Sequence, residues 1–162
     1  MKGLIEKIED YKKTLLKTSE NRKIWLEKAK QIIYDTLSKA KKLDNLDWLV
    51  DKNESVTNMQ TVYLGFNTQY SGITTYTEKS ISNHPKRGGA LSFSQIYNGQ
   101  VVINCNYPYI EGWMSQKDDV MLAKVDPTEI TEEFVIHKVE KFLDEMIKWE
   151  EYFSKNQIGF RQ

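Results

Sequence analysis

Apolar residues recur every three or four positions near both ends of the chain, whereas they alternate with polar residues in its middle. Large apolar side chains return at helical spacing between Ile5 and Leu43, and the same spacing resumes at Phe134. One helix or two are therefore predicted over residues 4–43. A long C-terminal helix with a broad apolar face is predicted over residues 129–154.

The N-terminal pattern does not by itself decide between one helix and two. Polar residues interrupt its apolar side at Thr18 and Arg22, and Ser19 suits the N-cap of a new helix. A single helix over residues 4–42 would be about 58 Å long, which is too long for a compact domain of this size. We therefore predict a break near residues 18–21. A single rod that pairs with another subunit is the alternative.

The middle of the chain carries the alternation and the turn residues that are typical of strands. The pair Asn98-Gly99 favours a tight hairpin turn, and both of its flanks resemble strands. Further strands are predicted over residues 60–66 and 73–78, and residues 119–125 are predicted to form either a fifth strand or a short helix. Short connections favour antiparallel pairing, so we predict an antiparallel sheet of about four or five strands within residues 56–125. The fold class is therefore α+β, with a single domain over residues 1–162.

A two-residue turn at Asn98-Gly99 would also decide which side chains share a face of the sheet. It would set Ile96 opposite Val101 and Ser92 opposite Cys105. The other face would then be rich in aromatic and amide side chains: Leu91, Phe93, Gln95, Tyr97, Val102, Asn104 and Asn106. Such a face is either covered by helices or used as a contact surface, because interface cores favour aromatic residues and contain few Lys and Glu.

Charge distinguishes the middle of the chain from its ends. The 162 residues include 23 Lys or Arg and 23 Asp or Glu, so the formal net charge is zero. Within residues 55–110, the charged residues are Glu78, Lys79, Lys86 and Arg87. Zero net charge argues against a protein that coats nucleic acid. A uniformly solvated sheet would carry more charge, so the middle of the chain is where we expect any binding site.

The composition also narrows the expected location and chemistry. No apolar run approaches the roughly 18 residues that a membrane-spanning helix needs, and the first residues lack a signal-like apolar stretch. The single cysteine, Cys105, excludes a disulfide framework. We predict a cytoplasmic protein with no cofactor, no bound metal and no membrane association.

A short basic segment is the best sequence candidate for a ligand site. It contains His84, Lys86, Arg87, Gly88 and Gly89. We expect a loop here, in which successive glycines let backbone N–H groups approach an anion and the cations bind phosphate or carboxylate. A nucleotide base would stack on one of three rings: Tyr76, Phe93 or Tyr97.

Three functional hypotheses follow. The first is a small non-catalytic binding protein that contacts a protein partner, or a second copy of itself, through the aromatic and amide-rich sheet face. The second is a protein that binds a small anionic ligand, such as a nucleotide, at the basic segment. The third is a small enzyme that uses His84, His137 or Cys105, although no catalytic spacing motif is present.

Overall fold

The computed structural model describes residues 1–43 and 47–156, and it confirms the α+β class. Within these residues, helices come first, the strands of a six-stranded antiparallel sheet follow, and a short 3-10 helix (Pro127–Glu129) precedes the last α-helix. The helices are α1 (Lys2–Ile24), α2 (Lys30–Lys41) and α3 (Glu132–Asn156). The strands are β1 (Trp48–Asn53), β2 (Thr61–Phe66), β3 (Gln69–Tyr76), β4 (Ile81–Gln95), β5 (Val101–Ile110) and β6 (Val120–Val125).

The N-terminal segment forms one continuous helical rod, so the predicted break near residues 18–21 is wrong. A π-helical turn, Trp25–Ala29, joins α1 to α2 without an intervening non-helical residue. The polar residues that suggested a break lie where the rod crosses the turn between β4 and β5. There Arg22 donates two hydrogen bonds to the carbonyl oxygen of Tyr97, at 2.6 and 3.2 Å. Arg22 thus contacts the rest of the chain through hydrogen bonds, at a position where the helical pattern would place an apolar side chain.

The sheet has the order β1-β2-β4-β5-β6, and β3 pairs with the first part of β4. Strand β4 changes partner from β3 to β2 near Gly88 and Gly89, whose φ angles are +78° and +84°. The predicted loop at residues 83–89 is therefore wrong, because these residues belong to β4. Strand β1 also precedes the predicted limits of the sheet.

The predicted register of the β4–β5 hairpin is wrong by one residue. Gln95 lies opposite Val101 and Phe93 opposite Ile103. The N–H of Gly99 donates to the carbonyl of Ile96 at 2.8 Å, and Gly99 alone in this turn has a positive φ, +79°. The turn therefore has three central residues rather than two, with the glycine in the left-handed region. Because side chains alternate between faces, a shift of one residue exchanges the two faces of β4.

The core lies between one face of the sheet and the helices. Leu91, Phe93 and Gln95 point into it from β4, and Trp25 and Phe142 cover it from the helices. Gln95 is 1% exposed, and neither its side-chain oxygen nor its nitrogen has a hydrogen-bond partner. Among the described residues, no helix combines the length and apolar character that crossing a membrane requires.

Candidate functional site

Among the described residues, no helix packs on the opposite face of the sheet. The helices contact the sheet through the buried residues of its other side. On the three central strands, the uncovered side carries Thr61, Tyr63, Gly65, Ala90, Ser92, Ser94, Val102, Asn104 and Asn106, called here the open face. No residue of the open face is charged, and apart from the buried Gly65 all are half-buried.

Strand pairing arranges the open face in rows. Tyr63, Ser92 and Asn104 lie side by side across three strands, and the Thr61 hydroxyl donates to the Ser94 hydroxyl at 2.9 Å. Tyr63 is the one aromatic residue of the open face, so the predicted aromatic character of the uncovered side is wrong. Its chemistry is that of hydroxyl and amide groups, which both donate and accept hydrogen bonds.

Charged residues lie at the borders of the open face. Asp51 on β1 pairs with Tyr63, and Lys124 on β6 pairs with Val102. The centre is thus neutral, and its two borders carry one charge of each sign, at Asp51 and Lys124. This distribution resembles that of an interface with an uncharged centre and a polar rim.

His84 lies on β4 in a closed hydrogen-bond network. Its Nδ1 donates to the carbonyl oxygen of Glu111 at 2.9 Å, because a carbonyl can only accept. In the neutral imidazole, Nε2 then accepts from the Thr75 hydroxyl, 3.0 Å away. The imidazole also lies 6.0 Å from the ring of Trp113. Both nitrogens are engaged, so His84 joins the β3–β4 hairpin to the segment that follows β5.

The two cations of the basic segment are both paired with carboxylates. Lys86 forms an ion pair with Glu150 on α3, and its Nζ lies 5.1 Å from the centre of the Trp149 ring. Arg87 forms an ion pair with Glu111. An anion at this segment would therefore have to compete with two carboxylates of the chain itself.

Gly88 and Gly89 are accounted for by packing. A Cβ atom on Gly89 would lie 2.7 Å from the Phe66 ring, and one on Gly88 would lie 3.0 Å from the carbonyl oxygen of Tyr107. Both positions also have φ angles that favour glycine. Close backbone approach and positive φ explain these glycines without an anion.

The three rings proposed for base stacking lie in different places. Tyr76 lies near the tip of the β3–β4 hairpin, whereas Tyr97 lies in the turn after β4, and the two are 76% and 75% exposed. The length of β4 between these ends is up to about 48 Å. Phe93 is fully buried in the core. The structure therefore does not gather these rings around His84.

A cavity beside Lys86 was not predicted from the sequence. Its volume is about 530 Å³, and it is lined by Tyr107, Met114, Lys117, Glu145, Lys148, Trp149 and Tyr152. The Tyr107 hydroxyl donates to Glu145 at 2.5 Å, and Lys148 donates to Glu145 at 2.8 Å. The bonds from Lys148 and Tyr107 lower the pKa of Glu145. Burial, and then the bond to Glu145, raises the pKa of Tyr107.

Comparisons of the chain with protein-family models, with curated proteins and with solved structures found no match. Function must therefore be inferred from the geometry of the chain itself. The open face and the cavity beside Lys86 are the two candidate sites considered for the function.

The remaining candidates for catalysis lie apart. Cys105 is fully buried in the core, and burial is the main cause that raises the pKa of its thiol to about 12. His137 lies on the exposed side of α3, with Nδ1 3.5 Å from a carboxylate oxygen of Glu140. His84 is held on β4, as described above. In the part of the chain that the structure describes, no cluster of three or more His, Cys, Asp or Glu residues could hold a metal ion.

Proposed function

We propose that the chain is a small non-catalytic, cytoplasmic binding protein whose open face contacts a protein partner. The observation that carries this proposal is the uncharged, hydrogen-bonding surface on β2, β4 and β5, which the helices leave uncovered. The cytoplasmic location is part of this proposal and rests on the sequence analysis alone. Catalysis is not proposed, since His84, His137 and Cys105 occupy separate environments.

The physical case for the open face rests on desolvation and order. Burying neutral hydroxyl and amide groups costs less than burying Lys or Glu, provided that the partner supplies hydrogen bonds. Apart from Tyr63, the side chains are short, and all lie on paired strands, so little conformational entropy is lost when they are covered. The charged borders at Asp51 and Lys124 would set the orientation of a partner.

Introducing two unpaired charges at the centre of the open face tests the proposal directly. The partner is first identified in the producing cell, where a photoreactive amino acid at Ser94 is expected to cross-link to it. Ser92→Arg with Asn104→Arg should then weaken binding of the purified partner at least tenfold, because each guanidinium would be buried without a counter-charge.

A matched pair of substitutions controls for charge and residue type. Ser82→Arg with Asn83→Arg introduces the same two changes in the exposed β3–β4 hairpin and should leave the affinity unchanged. If the partner binds the Ser92→Arg, Asn104→Arg variant as tightly as the native protein, the open face is not its binding surface.

A second candidate function, binding of a small anionic ligand such as a nucleotide, is favoured by the cavity beside Lys86. Lys117 lies 4.4 Å from the centre of the Tyr107 ring, and Lys148 and Trp149 line the same cavity. Lysines next to aromatic walls suit a ligand that carries both an anionic and a planar group. Lys86 of the basic segment contacts the lining through Trp149.

A thermal-shift screen of nucleotides and phosphorylated metabolites tests this second function. A ligand at 100 times its dissociation constant should stabilise the protein by about 2.7 kcal/mol. Lys117→Ala with Lys148→Ala should abolish the shift, whereas Lys79→Ala, in the exposed hairpin turn, should not. A shift that survives loss of Lys117 and Lys148 would place the ligand elsewhere.

A further inference from the structure

The N-terminal part of α1 projects beyond the sheet as a helical arm, defined here as residues 2–16. Fifteen helical residues extend about 23 Å. Every residue of the arm is exposed to solvent in the described part of the chain. Its large apolar side chains are 46–65% exposed: Leu4, Ile5, Ile8, Tyr11, Leu15 and Leu16.

The apolar side chains of the arm continue the line along which the same helix packs on the sheet. Positions along this line are separated alternately by four and three residues: Leu4, Ile8, Tyr11, Leu15, Thr18, Arg22, Trp25 and Ala29. Trp25 and Ala29 are fully buried, and Thr18 and Arg22 are half-buried. The line becomes exposed where the sheet ends. A seven-residue repeat is the spacing at which two helices stay in contact along their length.

The arm gains little stability from packing on its own chain. Most helical stability in proteins comes from tertiary packing of an apolar face, and the arm lacks such packing although it continues the helix formed by the rest of α1. Gly3, a poor helix former, lies in the first turn of the arm, and all of the arm's large apolar groups are exposed. A helix that covers this line would remove the exposed apolar surface and stabilise the arm.

We propose that the arm pairs with the arm of a second copy of this chain in an antiparallel two-helix coiled coil. This arrangement is two-fold symmetric, so each arm offers the same line to the other. Leu4 lies opposite Leu15 of the second copy, and Ile8 lies opposite Tyr11. The pairing ends at Thr18, where the line turns onto the body of its own chain.

The apolar area is compatible with such a dimer. The four apolar side chains on the line, Leu4, Ile8, Tyr11 and Leu15, expose roughly 100 Å² each, or about 450 Å² per chain counting the larger Tyr11. Two arms would thus bury on the order of 900 Å² of apolar surface. Since apolar atoms supply about 65% of a homodimer interface, the total buried area would be on the order of 1,400 Å², within the range of about 1,200–2,000 Å² of stable specific interfaces.

The charges beside the apolar line select the antiparallel orientation. In a parallel pair, Lys7 of one helix would lie beside Lys12 of the other on both sides of the interface. In the antiparallel pair, Lys12 lies close to Glu9 of the second copy, and Lys7 lies close to the neutral Thr14. Opposite charges therefore meet in one orientation and like charges in the other.

The mass of the full-length protein in solution tests the pairing. Light scattering at high micromolar concentration should give twice the 19.0 kDa mass of one chain. Ile8→Glu with Leu15→Glu should give the monomer mass while the near-ultraviolet circular dichroism of the folded body is retained. The control, Gly3→Glu with Lys13→Glu, adds two carboxylates on the opposite side of the helix and should remain dimeric. A native protein that is monomeric, or a dimer that survives the Ile8→Glu, Leu15→Glu change, overturns the proposal.

Charge exchange and cross-linking test the orientation. Lys12→Glu should weaken the dimer at least tenfold, and addition of Glu9→Lys should restore it; a parallel pair would instead be strengthened by Lys12→Glu. Separately prepared Leu4→Cys and Leu15→Cys proteins should form a disulfide when mixed and not alone. Self-linked Leu4→Cys dimers would overturn the antiparallel arrangement.

The arm and the open face can be tested independently. Ser92→Arg with Asn104→Arg should leave the dimer mass unchanged, because neither residue lies on α1. Loss of the dimer in that variant would place the second copy on the sheet instead of the arm.

Discussion

The contact between the helical rod and the β4–β5 turn depends on the absence of a side chain at Gly99. A Cβ atom there would lie 2.6 Å from Cβ of Asn21, 2.9 Å from the backbone nitrogen of Arg22 and 3.1 Å from the backbone carbon of Asn21. Two of these three atoms belong to the helix backbone, which cannot move independently of α1. Gly99→Ala should therefore either displace the helix or distort the turn.

Gly72 provides a matched reference for this substitution. Its φ is +79°, the same as that of Gly99, but a Cβ atom at Gly72 would meet nothing within 4 Å. Gly72→Ala should therefore cost only the left-handed backbone strain of about 1–2 kcal/mol, partly offset by a less flexible unfolded chain. Gly99→Ala should cost about 1–3 kcal/mol more, the usual range for overpacking a tight contact.

Urea unfolding followed by tryptophan fluorescence measures both free energies of unfolding, since Trp25 is fully buried beside the contact. All proteins should be compared at one concentration, because dimerisation would make the apparent stability concentration-dependent. If Gly99→Ala and Gly72→Ala lower the free energy of unfolding equally, α1 does not rest on this turn and the reasoning is refuted.

Three further results are expected. The pKa of Asp126 in the folded protein lies below its ordinary value of 3.8, mainly because Lys17 and Gln100 donate to the carboxylate. The stability that the ionised carboxylate contributes is therefore present above pH 3.8 and is lost as the pH falls through the folded pKa. Asp126→Asn should thus lose less free energy of unfolding than the native protein between about pH 5 and about pH 3. Cys105, buried with a thiol pKa of about 12, should react with a thiol reagent only after denaturation, and fast labelling of the native protein would contradict its burial. Gln95→Met should raise the free energy of unfolding by about 1–3 kcal/mol, because it removes a buried amide without partners; no change in urea unfolding would place Gln95 at the surface instead.

The candidate sites could be predicted only in part. The scarcity of charge in residues 55–110 located β2 to β5, which include the strands of the open face, whereas β1 and β6 lie outside that range. The composition of the open face was not predicted. It depends on whether the turn at Gly99 has two or three central residues, because that number decides whether Phe93 or its neighbours Ser92 and Ser94 lie on the uncovered side. The cavity beside Lys86 joins β5, the segment after it and α3, so no spacing along the chain could have indicated it.

The sequence by itself determined the α+β class, the helical ends and the position of the central strands. Hydrophobic periodicity and turn residues involve only a few neighbouring positions, so they can be recognised in the sequence without knowledge of the fold. Only the tertiary structure decided that Thr18 and Arg22 lie within one rod, that residues 83–89 extend β4, and which face of the sheet is buried. These outcomes depend on which part of the chain lies opposite a residue. Polar residues on the apolar side of a helix resemble a helix end in the sequence, but here they lie opposite the polar β4–β5 turn and attach the helix to it.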